Sequence, residues 1–103
     1  MAYGVKLTPR AQRDVEEIYR WIILRAPHQE SAWYNSLMEA IKSLADHPQR
    51  CPISPEGLEL RKQVRQLLYG RQPYRILFWI DGKEVQILHI RRGARKPWNP
   101  SEK

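Results

Sequence analysis

Seven arginines crowd the second half of this 103-residue chain: Arg61, Arg65, Arg71, Arg75, Arg91, Arg92 and Arg95. Four large aromatics, Tyr69, Tyr74, Trp79 and Trp98, are interleaved with them. A guanidinium grips phosphate or carboxylate through two parallel hydrogen bonds, and aromatic rings stack on bases, so such a surface suits RNA, DNA or an acidic peptide. Arg61, Arg65, Arg75, Arg91, Arg92, Arg95 and Trp98 are the candidate contacts for that target. Taken singly, each arginine is as readily a solvated strand or loop residue. Arg75 departs furthest from that bland reading, because it is set among apolar neighbours where an unpaired cation is costly.

Other chemistries find little support. His28, His47 and His89 stand in separate elements, and only His47 and Cys51 are close in sequence, so no metal site is expected. Gly-rich phosphate loops and nucleophile elbows are absent, and no cofactor is implied. Cys51 is the single cysteine, which leaves no internal disulfide. The N-terminal Met-Ala-Tyr-Gly-Val-Lys lacks the apolar stretch of a signal peptide, and no apolar run approaches the roughly eighteen residues of a membrane span. A cytoplasmic protein with no membrane partner is the expectation.

Net charge is +7 and unevenly placed: residues 1–52 carry seven Lys/Arg against six Asp/Glu, whereas 53–103 carry eleven against five. Concentration of the excess in one half argues for acidic company. The length suits one domain over residues 1–103, with about 97–103 as a flexible tail.

The positioning elements follow from periodicity. Tyr3 to Leu7 alternates Tyr3, Val5 and Leu7 on one side and reads as a strand. Thr8-Pro9 is a helix start, a capping hydroxyl followed by a proline tolerated at the first helical position. Ala11, Val15, Ile18, Tyr19 and Ile22 then recur at helical spacing until Pro27. A second helix is predicted from about Gln29 to Asp46, with Trp33, Leu37, Ala40, Ile41, Leu44 and Ala45 on one stripe and His47-Pro48 closing it. Pro48 to Gly57 reads as a loop because its prolines lack amides. Lys62 to Tyr69, Tyr74 to Ile80 and Glu84 to Arg91 read as strands, the last two joined at Asp81-Gly82. The predicted fold class is α+β: an N-terminal strand, a two-helix antiparallel hairpin, then an antiparallel sheet of three or more strands packed on the helices. Alternation puts Tyr74, Ile76, Phe78, Ile80, Val85, Ile87 and His89 toward the helices, and turns Arg75 to a more open face that Arg65 joins if the register allows.

Tyr74-Arg75-Ile-Leu-Phe, the Asp81-Gly82 hairpin and Val85-Gln-Ile-Leu-His89-Ile-Arg91-Arg92-Gly93-Ala94-Arg95 resemble the closing motif of the RelE/ParE superfamily of bacterial toxins. Val5-Lys-Leu-Thr8-Pro9-Arg-Ala11, leading into Asp14 and Glu16-Glu17-Ile18, is similar to that family's opening strand and first helix. The resemblance implies the toxin half of a type II toxin–antitoxin module, a growth-arresting protein held inactive in a heteromeric assembly with a small cognate antitoxin, of the kind tied to plasmid stabilization.

It also implies two alternative targets. RelE-like members cut messenger RNA on the ribosome, whereas ParE-like members poison DNA gyrase. In the RelE pattern, Arg65, Arg75 and Arg95 match the basic residues around the scissile phosphate, and His89 is a candidate base. Cleavage through a 2′-hydroxyl needs a proton acceptor and a proton donor, each worth about 10² to 10⁴-fold, and a permanently charged guanidinium accepts poorly. The pattern's second strand lysine is Leu67 here, and its C-terminal tyrosine or histidine is represented by Trp98. These departures favour a ParE-like, gyrase-directed toxin over a RelE-like endoribonuclease. A non-toxic nucleic-acid-binding module is the third reading.

Overall fold

The computed structural model describes residues 2–60, 63–69 and 74–92, the side chains of 59, 60 and 92 excepted. Strand β1 (Gly4–Leu7) leads into helices α1 (Pro9–Arg25) and α2 (Glu30–Ser43), then a 3-10 turn (Pro48–Arg50), a short helix α3 (Pro55–Leu60), and strands β2 (Arg65–Tyr69), β3 (Tyr74–Asp81) and β4 (Glu84–Arg92). The four strands form one sheet in the order β1-β4-β3-β2. β1 lies parallel to β4, and the other pairs are antiparallel.

The first helix begins as its sequence dictates. Thr8 is extended (φ −66°, ψ 161°), its hydroxyl accepts from the Ala11 amide, and Pro9 opens the helix. Ala11, Val15 and Ile22 are buried along α1, and Leu37, Ile41 and Leu44 along α2 and its end. The helices meet edge to face through Tyr19 and Tyr34, ring centroids 6.0 Å apart. Against them the sheet sets Ile76, Phe78, Val85, Ile87 and Ile90, all buried in one cluster. Each such side chain contributes roughly 1.5–3 kcal/mol by leaving water, so this two-layer contact is the main source of stability.

Three features differ from the sequence-based expectation. The hairpin turn lies one residue later: Asp81 pairs with Glu84, leaving Gly82 and Lys83 as the central pair, with Gly82 at φ +62°. A side chain there would be strained, whereas glycine is at ease. The one-residue shift moves partners by two and so preserves the faces, but a bulge then intervenes. Phe78 pairs with Ile87 and Leu77 with His89, which leaves Leu88 as an extra residue of β4. An extra residue flips the alternation. Ile90, paired with Ile76, thereby joins the core.

The second difference is α3, which occupies part of the expected Pro48–Gly57 loop. Ser54 caps it, its hydroxyl accepting from the Gly57 amide at 3.1 Å, and Pro55 is its first residue. The prolines that argued against ladder pairing are compatible with a helix start. The third is that β2 begins at Arg65 rather than at Lys62, which lies outside the described residues with the 70–73 connection and the 97–103 tail.

The bulge is held from α1. Thr8 Oγ1 donates to the Ile87 carbonyl at 2.8 Å, and the Thr8 amide donates to the same oxygen at 3.0 Å. Asp14, 6% exposed, accepts from the Ile90 amide at 3.0 Å and pairs with His89 Nδ1. Asp14→Ala would remove the carboxylate that serves both the Ile90 amide and the His89 imidazole. It is expected to destabilise the fold by about 3–5 kcal/mol, the range for breaking a buried pair, measured as a fall in the urea midpoint at unchanged slope.

Candidate functional site

Arg75 sits on the sheet face opposite the two-helix core, since Ile76 and Phe78 face that core and strand residues alternate. The expectation that this face is open is overturned. α3 covers it, and Arg75 is 6% exposed. Its Nη1 donates to Glu56 Oε2 at 2.8 Å, its Nη2 to Glu56 Oε1, and its Nε to Gln66 Oε1 at 3.0 Å. This is the two-pronged carboxylate contact that arginine geometry favours, but the carboxylate belongs to the chain itself. Glu56 is 1% exposed, and Ser54, Val64 and Leu77 are buried as well. The cause is local: Ser54-Pro55 start a helix whose second residue is Glu56.

Arg65 does not join Arg75. In the β2–β3 register Arg65 lies opposite Phe78, and Leu68 lies opposite Arg75. Directly paired residues share a face, so the two guanidiniums leave opposite sides of the sheet. Arg65 Nη1 donates to the Cys51 carbonyl at 2.6 Å and to the Gln49 carbonyl at 3.3 Å, fastening the segment between the 3-10 turn and α3. Leu67 packs against the core. Arg91 is half-buried directly across from Arg75. Arg92 pairs with Tyr74 along the backbone, but its side chain lies outside the described residues, as do Arg61, Arg95 and Trp98.

The groups that could move protons are also committed. His89 is 7% exposed and paired through Nδ1 with Asp14. Tyr69 donates its hydroxyl to the Trp33 carbonyl at 3.0 Å, and burial pushes its phenol above the usual range, which opposes a role as base. Burial likewise pushes the Cys51 thiol up, against the lowering influence of Arg50 and Arg65.

With this geometry fixed, comparison with known proteins becomes decisive. The family model described as the ParE toxin of the type II toxin–antitoxin system parDE matches residues 5–97. The chain belongs to this ParE toxin family. It is similar to Toxin RelE3 of Caulobacter vibrioides, 26% identical over 95 residues that span 90% of this chain and 97% of that protein. Among solved structures it resembles the chromosomal ParDE toxin–antitoxin system of P. aeruginosa at a TM-score of 0.71 and 26% identity, over 88% of this chain and 96% of that one. The RelBE2 toxin–antitoxin complex of Mycobacterium tuberculosis shares the fold at a TM-score of 0.60 and 24% identity, over 89% and 99% of the two chains.

In this ParE-family chain the residues missed by sequence reasoning are Asp14, Glu56 and Gln66. Asp14 carried a signal, because it falls within the Ala11–Val15–Ile18–Ile22 stripe where a carboxylate needs a buried partner. Glu56 carried one too, following a serine cap and an N-terminal proline. Gln66 carried none until β2 had a register. Among the described residues no three His, Cys, Asp or Glu side chains gather as metal ligands, and no helix is long and apolar enough to cross a membrane.

If the Arg75–Glu56 pair is structural, either single truncation is costly and joint replacement is not. Arg75→Ala is expected to cost about 3–5 kcal/mol in chemical denaturation, while Glu56→Leu combined with Arg75→Met recovers most of it. Cys51 supplies a second check. Its thiol is 4% exposed, and its raised pKa leaves little thiolate near pH 8. A thiol reagent should therefore modify it at least about tenfold more slowly in the native protein than in the urea-unfolded chain.

Proposed function

We propose that this chain is the toxin of a type II module, neutralised by a cognate antitoxin, and that it arrests growth by acting on DNA gyrase rather than by cutting messenger RNA. Family membership and likeness to the ParDE system support the module and an antitoxin partner. One observation carries the choice of target: Arg65 and Arg75, which a nuclease would aim together at one phosphate, leave opposite sheet faces and are both engaged within the chain.

The proton chemistry supports the same reading. Cleavage through the 2′-hydroxyl requires a base within hydrogen-bond reach. His89 is paired with Asp14, Tyr69 is a donor with a raised pKa, and a guanidinium stays charged. A poison that stabilises an enzyme–DNA intermediate needs none of these groups. The likeness to Toxin RelE3 is the observation on the other side, and it makes the ribosome-dependent endoribonuclease the reading to test against.

Brief induction in cells, followed by primer extension on abundant messages and by recovery of gyrase–DNA adducts, separates the two. Growth arrest with trapped adducts and no codon-phased 5′ ends is expected. Codon-phased ends without adducts would replace gyrase by the ribosome, and absence of growth arrest would leave a plain binding module. The Glu56→Leu/Arg75→Met variant, checked as folded by circular dichroism, is expected to stay toxic. Its inactivity would return Arg75 to the working surface.

A further inference from the structure

We propose that the cleft at the start of β1, lined among the described residues by Ala2, Tyr3, His47, Gln49 and Lys83, is a phosphate-binding site. It encloses about 430 Å³, room for a phosphate group and its hydration. It lies apart from Arg75 and does not rest on the choice of gyrase as target.

Three connections assemble it. The Tyr3 amide donates to the Ala45 carbonyl at 2.8 Å, tying β1 to the end of α2. The Gly4 amide donates to the Lys83 carbonyl at 2.9 Å, tying it to the β3–β4 turn. Gln49 Nε2 donates to the Tyr3 hydroxyl oxygen at 2.6 Å, tying it to the 3-10 turn. That oxygen accepts from Gln49, and the tyrosine O–H itself remains available to donate. The second Gln49 N–H, the His47 imidazole and the Lys83 ammonium have no partner among the described residues. Among the described residues every polar side chain lining the cleft can donate, and no carboxylate lines it. The neighbouring Glu84 is engaged with Lys6 at 3.2 Å and with Gln86. Such a set matches an oxyanion with several acceptors.

A second observation points to the same place. His47 has φ 48° and ψ 60°, a left-handed backbone that glycine or asparagine adopts more cheaply. Arg50 holds it there, its Nη1 donating to the carbonyls of Ser43, Asp46 and His47 while its amide donates to the His47 carbonyl. That conformation, in the turn between α2 and the 3-10 turn, places His47 where it lines the donor-rich cleft. Arg50 is its positioning residue.

The test is amide chemical-shift titration of the full chain, first with inorganic phosphate and then with a duplex oligonucleotide. Saturable shifts of the amides of residues 2–4, 47, 49 and 83 are expected with phosphate. Lys83→Gln should weaken binding about tenfold, the loss of one charge-assisted hydrogen bond. His47→Gly should also weaken it while leaving the thermal midpoint near that of the parent, because glycine relieves the strain; a purely structural histidine would leave binding untouched. If the duplex shifts the same amides and loses affinity with salt, the ligand is a nucleic-acid backbone. If only inorganic phosphate does, it is a small phosphate compound. Shifts scattered over all basic surfaces, or unchanged by both substitutions, would overturn the site.

Discussion

The bulge in β4 has to be satisfied from outside the sheet, and most of the architecture follows from how that is done. An extra residue takes Leu88 out of the β3 ladder, and buried backbone groups left without partners are costly. α1 and its cap brace β4 on both sides of the bulge: the Thr8 hydroxyl and amide donate to the Ile87 carbonyl, and the Asp14 carboxylate holds the Ile90 amide and His89. The residue that caps the helix thus also anchors the strand. This fixes where α1 lies along β4, and therefore which of its residues meet Ile76, Phe78 and Ile87 in the core.

The second constraint is electrostatic and acts on the other face of the sheet. A chain of net charge +7 invites the assumption that its arginines look outward. Arg75 is instead consumed by Glu56 and Gln66, and Arg65 by backbone carbonyls. These contacts hold the segment from the 3-10 turn through α3 onto the sheet. Buried ion pairs are modest sources of net stability, but they discriminate strongly between arrangements, because either partner alone is expensive. Basic residues on such a sheet can therefore serve the fold itself, and sequence position alone does not reveal it.

How much was legible follows from the range of the interactions. The Thr8-Pro9 start, the apolar stripes of both long helices and the extent of β3 are local, and each appears where the residues predicted it. The family was legible as well, because ordered motifs along nearly the whole chain carry it. The bulge was not, since nothing near Leu88 marks it; it is specified by partners on α1 more than seventy positions away. The fate of Arg75 required two non-local facts together, a helix in a proline-rich stretch and the side of the sheet it covers. A cation on a central strand was rightly read as needing a partner. Which partner it takes is a matter of topology.

That topology ties the beginning of the chain to its end. β1 pairs in parallel with β4, Gly4–Leu7 alongside Glu84–Ile87, and the Thr8 and Asp14 bonds span 75 to 80 positions. β1 and α1 are synthesised before β4 and have no finished surface to close upon until it has been made. Closure of the sheet waits for β4, and such non-local closure is slow compared with that of a helical protein of similar size. The two-layer fold of sheet and helices is complete only once translation has passed β4.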